Sequence, residues 1–184
     1  ISGARPIYMD SIKGYQTVAT GSFIKELTGV NIPNGIFIMI AMMAAASFLL
    51  NKTILGRYSF AIGSNEEAAR LSGVNVIKWK IISYALCGMM SGFAAWFMTA
   101  RLNAAQPSTG AGYEMDAIAA CIIGGASMSG GEGSVSGTII GAFIMSVLIN
   151  GLRIMSVPSE WQTVVTGAVV IFAVYVDMLR RKKQ

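Results

Sequence analysis

Residues 81–100 read IISYALCGMMSGFAAWFMTA and contain no charged side chain. An α-helix needs roughly 20 apolar residues to cross the hydrocarbon core of a bilayer, which is about 30 Å thick. The segment therefore predicts a membrane-spanning helix. It decides the fold class, because backbone groups that lie in lipid have to find their hydrogen-bond partners within the protein.

Further apolar segments lie on both sides of this one. Three are long enough, or nearly so, to cross a membrane: Leu27–Asn51, Gly133–Leu152 and the shorter Trp161–Val176, which has aromatic residues near both ends as interfacial segments often do. A fifth stretch, Ala117–Ser129, is too short to span comfortably and runs into several glycines. We expect it to form a short or broken helix that enters the membrane and turns back. The segments together predict an all-α, polytopic transmembrane helix bundle, with residues 1–184 forming a single transmembrane domain.

The composition agrees with a membrane protein. Hydrophobic residues make up 54% of the chain and charged residues 12%, whereas a typical soluble protein is about 25% charged. The net charge of +5 does not indicate a nucleic-acid surface, because the basic residues lie at the ends of the apolar segments. Cys87 and Cys121 lie within apolar segments, so we expect two buried thiols and no disulfide. The chain begins at Ile1 rather than at a methionine and has no signal-like start, so we expect further residues upstream.

The distribution of Lys and Arg predicts the orientation in the membrane, because cytoplasmic loops are enriched in both. Two segments carry most of the basic residues, one between the first two spans and one after the last: Lys52, Arg57, Arg70, Lys78 and Lys80, then Arg180, Arg181, Lys182 and Lys183. We place both in the cytoplasm. Residues 1–34, 101–116 and 153–160 then lie outside.

Glycines recur at four-residue spacing in two of the predicted spans. Gly88 and Gly92 form one such row, and Gly133, Gly137 and Gly141 form another. Small residues at this spacing allow two helices to approach closely. The rows indicate a compact bundle but identify no function.

The predicted cytoplasmic loop contains the segment GSNEEAARLSG at residues 63–73. Ser64 followed by Glu67 fits a capping box, Glu66 and Arg70 have the spacing of a helical ion pair, and Gly73 is a natural helix stop. Local chemistry therefore specifies a short helix. It is either a solvated connector or a docking element whose apolar contacts would be Leu71 and Val74.

The longer run GRYSFAIGSNEEAARLSGVNV, residues 56–76, resembles the cytoplasmic loop of the ribose-type permeases of ABC importers. Counterparts of that family also exist for residues 100–142, ARLNAAQPSTGAGYEMDAIAACIIGGASMSGGEGSVSGTIIGA, and for the closing segment at residues 150–177. The resemblance covers nearly all of the chain after Arg57. Residues 1–56 match more loosely.

The resemblance implies a function and a set of partners. Permeases of that family are about twice this length, and this chain is similar to their C-terminal half. The family permease pairs with a second permease copy, a cytoplasmic ABC ATPase dimer and a periplasmic or lipid-anchored sugar-binding protein in the bacterial inner membrane. By resemblance, the residues that couple the permease to the ATPase are Ser64, Asn65, Glu66, Glu67, Ala68, Ala69, Arg70, Leu71, Ser72 and Gly73.

The predicted external loop is polar and is broken by Gly and Pro. Asn103, Gln106, Glu114 and Asp116 could face the mouth of a sugar pathway, since amides and carboxylates bind hydroxyl groups. The two acids could equally stabilise the N-terminus of the short helix that follows. Glu132, within the glycine-rich turn, is either an interfacial acid or part of a gate.

Several functions are excluded or disfavoured. The chain has no histidine, which removes a Ser-His nucleophile and His-based metal sites. The segment GGEGSVSG lacks the Lys of a phosphate-binding loop, so we expect no cofactor on this chain and ATP-Mg on the partner ATPase. An enzyme is not excluded by these absences alone, but the resemblance implies that the chain is a non-catalytic membrane subunit. A gradient-driven carrier and a non-transporting scaffold remain as alternatives.

Overall fold

The computed structural model describes residues 6–8, 21 and 33–181, with side chains as far as residue 179. Seven helices lie between residues 33 and 181: α1 Asn34–Lys52, α2 Ile54–Ser64, α3 Glu66–Leu71, α4 Val76–Leu102, α5 Tyr113–Ile123, α6 Val135–Ile154 and α7 Ser159–Arg181. Two short strands, β1 Ile7–Tyr8 and β2 Ala104–Ala105, pair in antiparallel fashion, with Ile7 opposite Ala105. Most of the described backbone is therefore helical.

Four helices are long and apolar enough to cross a membrane: α1, α4, α6 and residues 159–179 of α7. The predicted all-α polytopic bundle is thus confirmed. Residues 27–32 of the first predicted span, and Lys182 and Lys183 of the basic tail, lie outside the described residues.

The second span is longer than predicted. Helix α4 begins at Val76 rather than Ile81, so the basic residues Lys78 and Lys80 lie in its first turns instead of in the preceding loop. The side-chain oxygen of Asn75 accepts a hydrogen bond from the Lys78 N–H at 3.1 Å, as an N-cap residue does. Charge marks the edge of the hydrocarbon, whereas backbone capping marks the end of the helix.

Residues 54–63 are predicted from the sequence to lie in the cytoplasmic loop, whereas the structure shows that they belong to helix α2. Thr53 is extended, with φ −108° and ψ 164°, and separates α2 from α1. Gly56 is buried, and a Cβ at this position would overlap the carbonyl group of Leu50. The sharp turn between the two helices therefore requires a residue without a side chain.

Helix α5 has 11 residues and a length of about 16 Å, too short to cross the hydrocarbon core. It ends at Ile123 with Gly124 as its C-cap, and Gly125 follows with φ 86°. The N–H of Gly125 bonds to the Ile122 carbonyl and that of Ala126 to the Cys121 carbonyl, both at 2.9 Å. This pattern is a Schellman motif. It reverses the chain so that α6 packs against α5, as expected of an element that enters the membrane and returns.

The chain divides into two compact units. One is formed by Ile1–Ala46 and Ile81–Ala111, and the other by Ser47–Lys80 and Gly112–Gln184. In the second unit, α5 packs against both α6 and α7. The buried residues Ala119, Ala120 and Met145 form its core.

Large apolar side chains outside this core are exposed, including Phe143 at 71% and Ile171 at 73%. Such exposure on four spanning helices is typical of a protein whose surface faces lipid. The two cysteines differ in exposure. Cys121 is half-buried, whereas Cys87 is exposed, contrary to the prediction of a buried thiol. An apolar residue in a membrane helix does not need to face the protein interior.

The two glycine rows differ in what surrounds them. A Cβ at Gly137 would overlap the Gly124 carbonyl, and a Cβ at Gly141 would overlap the carbonyl oxygen of Ala120. Gly133 precedes α6, and its Cβ would lie 3.3 Å from the Cβ of Ala126. Among the described residues, no heavy atom lies within 4 Å of a Cβ at Gly88 or Gly92, so those two glycines form no close crossing with any described helix.

We expect Gly141→Ala to destabilise the purified chain by about 1–3 kcal/mol, because the new methyl group overpacks the α5–α6 contact. Gly88→Ala, a matched change in another spanning helix, should be neutral or stabilise by about 0.5–1 kcal/mol through helix propensity. Thermal unfolding in detergent, followed by far-UV circular dichroism, measures both. Equal melting temperatures for the two variants would contradict the prediction.

Candidate functional site

Helix α3 is capped at its N-terminus by Asn65. Its side-chain oxygen accepts a hydrogen bond from the Ala68 N–H at 2.9 Å, and its backbone is extended. The predicted capping box of Ser64 and Glu67 is therefore wrong, because Ser64 is the last residue of α2. Asn caps helices about as well as Ser, and here the neighbouring helix, rather than the cap preference, decides between them.

Gly73 ends α3, as predicted. It has φ 83°, and its N–H bonds to the Arg70 carbonyl at 3.0 Å. The next residue, Val74, donates its N–H to the Ala69 carbonyl at 3.1 Å. These two hydrogen bonds form a second Schellman motif, which brings the apolar residues Ala69 and Val74 together. Ala69 is 6% exposed and Val74 is half-buried. The motif attaches Val74 to α3 within the chain, and the contact of Val74 with a partner stays a prediction.

Glu66 forms its ion pair with Lys80 rather than with Arg70. The Lys80 Nζ donates to the Glu66 Oε2 at 2.6 Å, and both side chains are 46% exposed. This hydrogen bond holds the pKa of Glu66 below its ordinary value, with smaller electrostatic contributions from Lys80 and Arg70. The helical spacing of Glu66 and Arg70 predicted a local pair. The fold supplies a better partner by bringing the first turns of α4 beside α3.

Tyr58 and Trp79 form a second link in the same region. Their ring centroids are 5.0 Å apart at an interplanar angle of 66°, an edge-to-face arrangement that aromatic pairs favour. The contact joins α2 to the start of α4. Val76, at the N-terminus of α4, is buried at 5% exposure. The short helix is thus held between two longer helices.

One side of α3 carries exposed side chains. Glu67 and Arg70 are exposed, and neither forms an ion pair among the described residues. Leu71, its last residue, is 87% exposed. A large apolar side chain so exposed on a helix that local capping already stabilises is suited to contact with another protein.

The glycine-rich turn at residues 124–134 lies directly beside the C-terminus of α2. A Cβ at Gly63 would lie 2.6 Å from the backbone nitrogen of Gly131, and a Cβ at Gly130 would lie 2.6 Å from the Gly63 carbonyl oxygen. Sequence reasoning missed this contact. The signal was present in the glycines of both segments, but nothing in the sequence paired the segments.

The turn is also attached to α7. The Ser127 hydroxyl donates to the Asp177 Oδ2 at 3.3 Å, and the Ser127 N–H bonds to the Glu132 carbonyl at 3.1 Å. Glu132 is exposed. The end of α2, the glycine-rich turn and the last turns of α7 therefore meet at one end of the second unit, the end that the basic residues predict to be cytoplasmic.

The four candidate pathway residues fall in both units. In the first unit, Asn103 is half-buried with φ 51°, and the Gln106 Nε2 donates to the Ser108 hydroxyl at 2.9 Å. In the second unit, Glu114 accepts from the Gly112 N–H at 3.1 Å, and the half-buried Asp116 lies in the first turn of α5. The bond to Gly112 supports a helix-capping role for Glu114, while the pathway role of all four stays a prediction.

Among the described residues, no three His, Cys, Asp or Glu side chains come close enough to hold a metal ion.

Comparison with known proteins shows the family of the chain. Residues 5–174 match the family described as the permease component of a branched-chain amino acid transport system. The chain is 48% identical over 155 residues to the ribose import permease protein RbsC of Escherichia coli (strain K12), covering 84% of this chain and 47% of that protein. No solved structure matches.

Two other relatives give the same result. The chain is 45% identical over 152 residues to the xylose transport system permease protein XylH of Haemophilus influenzae (strain ATCC 51907 / DSM 11121 / KW20 / Rd), covering 83% of this chain and 40% of that protein. It is 42% identical over 170 residues to the ribose import permease protein RbsC of Bacillus subtilis (strain 168), covering 92% of this chain and 50% of that protein. The chain thus spans about half the length of these relatives. It is a multi-pass membrane chain, and it belongs to the family of permease components of branched-chain amino acid transport systems.

Proposed function

We propose that the chain forms the C-terminal half of the permease subunit of an ABC importer for a monosaccharide such as ribose, in the bacterial inner membrane. ATP-Mg is bound and hydrolysed by a separate cytoplasmic ATPase dimer. A second permease copy completes the pathway, and a periplasmic or lipid-anchored binding protein delivers the sugar. Transport proceeds by alternating access.

The proposal of a sugar substrate rests on the relatives. Ribose and xylose appear in the names of the proteins to which the chain is 42–48% identical, whereas the family as a whole is described by branched-chain amino acids. A monosaccharide carries hydroxyl groups and no net charge. The exposed polar side chains Gln106 and Glu114 suit such a substrate as weak, reversible hydrogen-bond partners.

The observation that carries the proposal is the exposed helix α3. It is capped at both ends by flanking residues of the same chain, and its Leu71 is 87% exposed. A helix with these properties at the predicted cytoplasmic end of the spanning helices suits a cleft on a soluble ATPase. Leu71 would fill the apolar centre of the contact, and Glu67 and Arg70 its charged rim.

The attachments of α3 supply a route for force. The Glu66–Lys80 ion pair connects α3 to α4, and the Tyr58–Trp79 contact connects α2 to the same helix. When the ATPase dimer closes on ATP, a displacement of α3 would therefore reach a spanning helix through contacts as well as through the chain. Alternating access requires such a connection.

Uptake by the permease that carries this chain, reconstituted in proteoliposomes with its ATPase and binding protein, tests the function. We expect uptake of ribose or xylose that depends on ATP and survives collapse of the proton gradient. Leucine should not be taken up. Loss of uptake with the gradient would instead support a gradient-driven carrier, and leucine uptake would overturn the sugar assignment.

We expect Leu71→Asp to weaken binding of the ATPase to the permease at least tenfold, because a buried charge replaces the apolar centre of the contact. Ile154→Asp is the matched control. Ile154 is the last residue of α6 and 85% exposed, but the basic residues predict that it lies on the opposite side of the membrane. Co-purification of the ATPase measures both, and equal recovery would refute docking on α3.

We expect Lys80→Met to raise the pKa of Glu66 toward its ordinary value of 4.5, because the hydrogen bond that favours the carboxylate is lost. At a pH above 4.5, the lowered pKa of Glu66 stabilises the folded contact between Glu66 and Lys80. This stabilisation is lost as the pH falls through the lowered pKa. The amount of sugar imported per ATP hydrolysed should therefore not depend on pH between about 6 and 8, in the wild type or in Lys80→Met.

The pKa of Glu66 can be followed by NMR of the isotope-labelled carboxyl group in nanodiscs. Lys78→Met is the control, because Lys78 lies in the same turn of α4 and forms no ion pair among the described side chains. A pKa that moves equally in both variants, or in neither, would show that Lys80 does not hold Glu66.

A further inference from the structure

Two backbone segments that are distant in sequence meet without an intervening side chain. Gly63 and Ser64 end α2, and Gly130 and Gly131 lie in the glycine-rich turn. A Cβ at Gly63 would lie 2.6 Å from the Gly131 nitrogen, and a Cβ at Gly131 would lie 3.0 Å from the Ser64 Cα. Side chains at these glycines would force the two segments apart.

The segment on one side of this contact leads directly into α3. Ser64 is the last residue of α2, Asn65 is the N-cap of α3, and α3 begins at Glu66. The Asn65 N–H bonds to the Ala61 carbonyl, and the Ala69 N–H bonds to the Asn65 carbonyl. Hydrogen bonds therefore continue across the junction, so a displacement of α3 moves Gly63 as well.

The segment on the other side is a compact turn. The Ser127 N–H bonds to the Glu132 carbonyl, and the Gly130 N–H bonds to the Ser127 carbonyl, both at 3.1 Å. Gly130 and Gly131 have φ 87° and 83°, a conformation that glycine adopts without strain. These bonds close the turn on itself, so a push on Gly130 moves the turn as one piece.

The turn is continuous with the best-packed part of the second unit. At its start Gly124 lies against Gly137 of α6, and Gly141 of α6 lies against Ala120 of α5. Both are contacts of backbone with backbone. Such contacts have no side-chain rotamers that could absorb a small displacement, and closely packed interiors transmit strain. A movement of the turn is therefore passed to α5 and α6 together.

We propose that Gly63, Gly130 and Gly131 are positioning residues that transmit movement of α3 to the α5–α6 hairpin. The proposal rests on the proposed function, since it gives the route by which ATPase closure reaches the short helix α5. It extends beyond the docking surface itself, because none of the three glycines needs to touch the ATPase.

The variant Gly63→Ala tests the contact directly. Its methyl group would meet the Gly131 nitrogen at 2.6 Å and displace the turn. In the reconstituted importer we expect the ATPase to bind and hydrolyse ATP as before, while the sugar imported per ATP hydrolysed falls at least threefold. Gly151→Ala, near the C-terminus of α6 with no described heavy atom within 4 Å of its Cβ, should leave this ratio unchanged.

Hydrogen exchange on the wild-type importer provides a test without any substitution. The rate of amide hydrogen exchange is compared in the presence and absence of ATP. If ATP changes the exchange rate of residues 63–72, it should also change that of residues 126–134. In Gly63→Ala, the response at residues 63–72 should persist and that at residues 126–134 should be lost. A wild-type turn that does not respond while residues 63–72 do would overturn the proposal.

The outcomes separate the two proposals. A wild-type permease that neither binds the ATPase nor imports sugar refutes the proposed function. A wild-type permease that imports sugar, together with a Gly63→Ala variant whose ratio of sugar to ATP is normal, refutes only the role of the glycine contact.

Discussion

The second unit depends on backbone contacts that leave no room for a Cβ. In a bilayer, apolar side chains gain little by leaving lipid for protein, so helices associate through close van der Waals packing. Gly141 against Ala120 and Gly124 against Gly137 provide that packing between α5 and α6. The buried core of the hairpin is correspondingly small, consisting of two alanines and Met145.

The same kind of contact joins this hairpin to the end of α2, through Gly63 and Gly130. The exposed helix α3 therefore directly follows α2, the helix that the glycine-rich turn contacts. Its ion pair with Lys80 attaches it to α4 as well. A partner that moves α3 would consequently act on α4 and on the α5–α6 hairpin.

Prediction from the sequence succeeded where the cause was local. The four spans follow from runs of uncharged residues, and the end of α3 follows from Gly73, because only a positive φ at that position closes the Schellman motif. It failed where two local signals competed. Ser64 and Asn65 are both good N-caps, and the choice of Asn65 depended on α2 extending through Ser64.

The sequence by itself determined that the chain spans a membrane, that α5 is too short to cross it, and that a capped helix lies in the basic loop, because each follows from neighbouring residues. Only the tertiary structure decided that Glu66 pairs with Lys80 and that Gly63 meets Gly130. Those contacts join segments distant along the chain. A glycine shows where two backbones can approach closely, but it carries no side chain that could identify its partner.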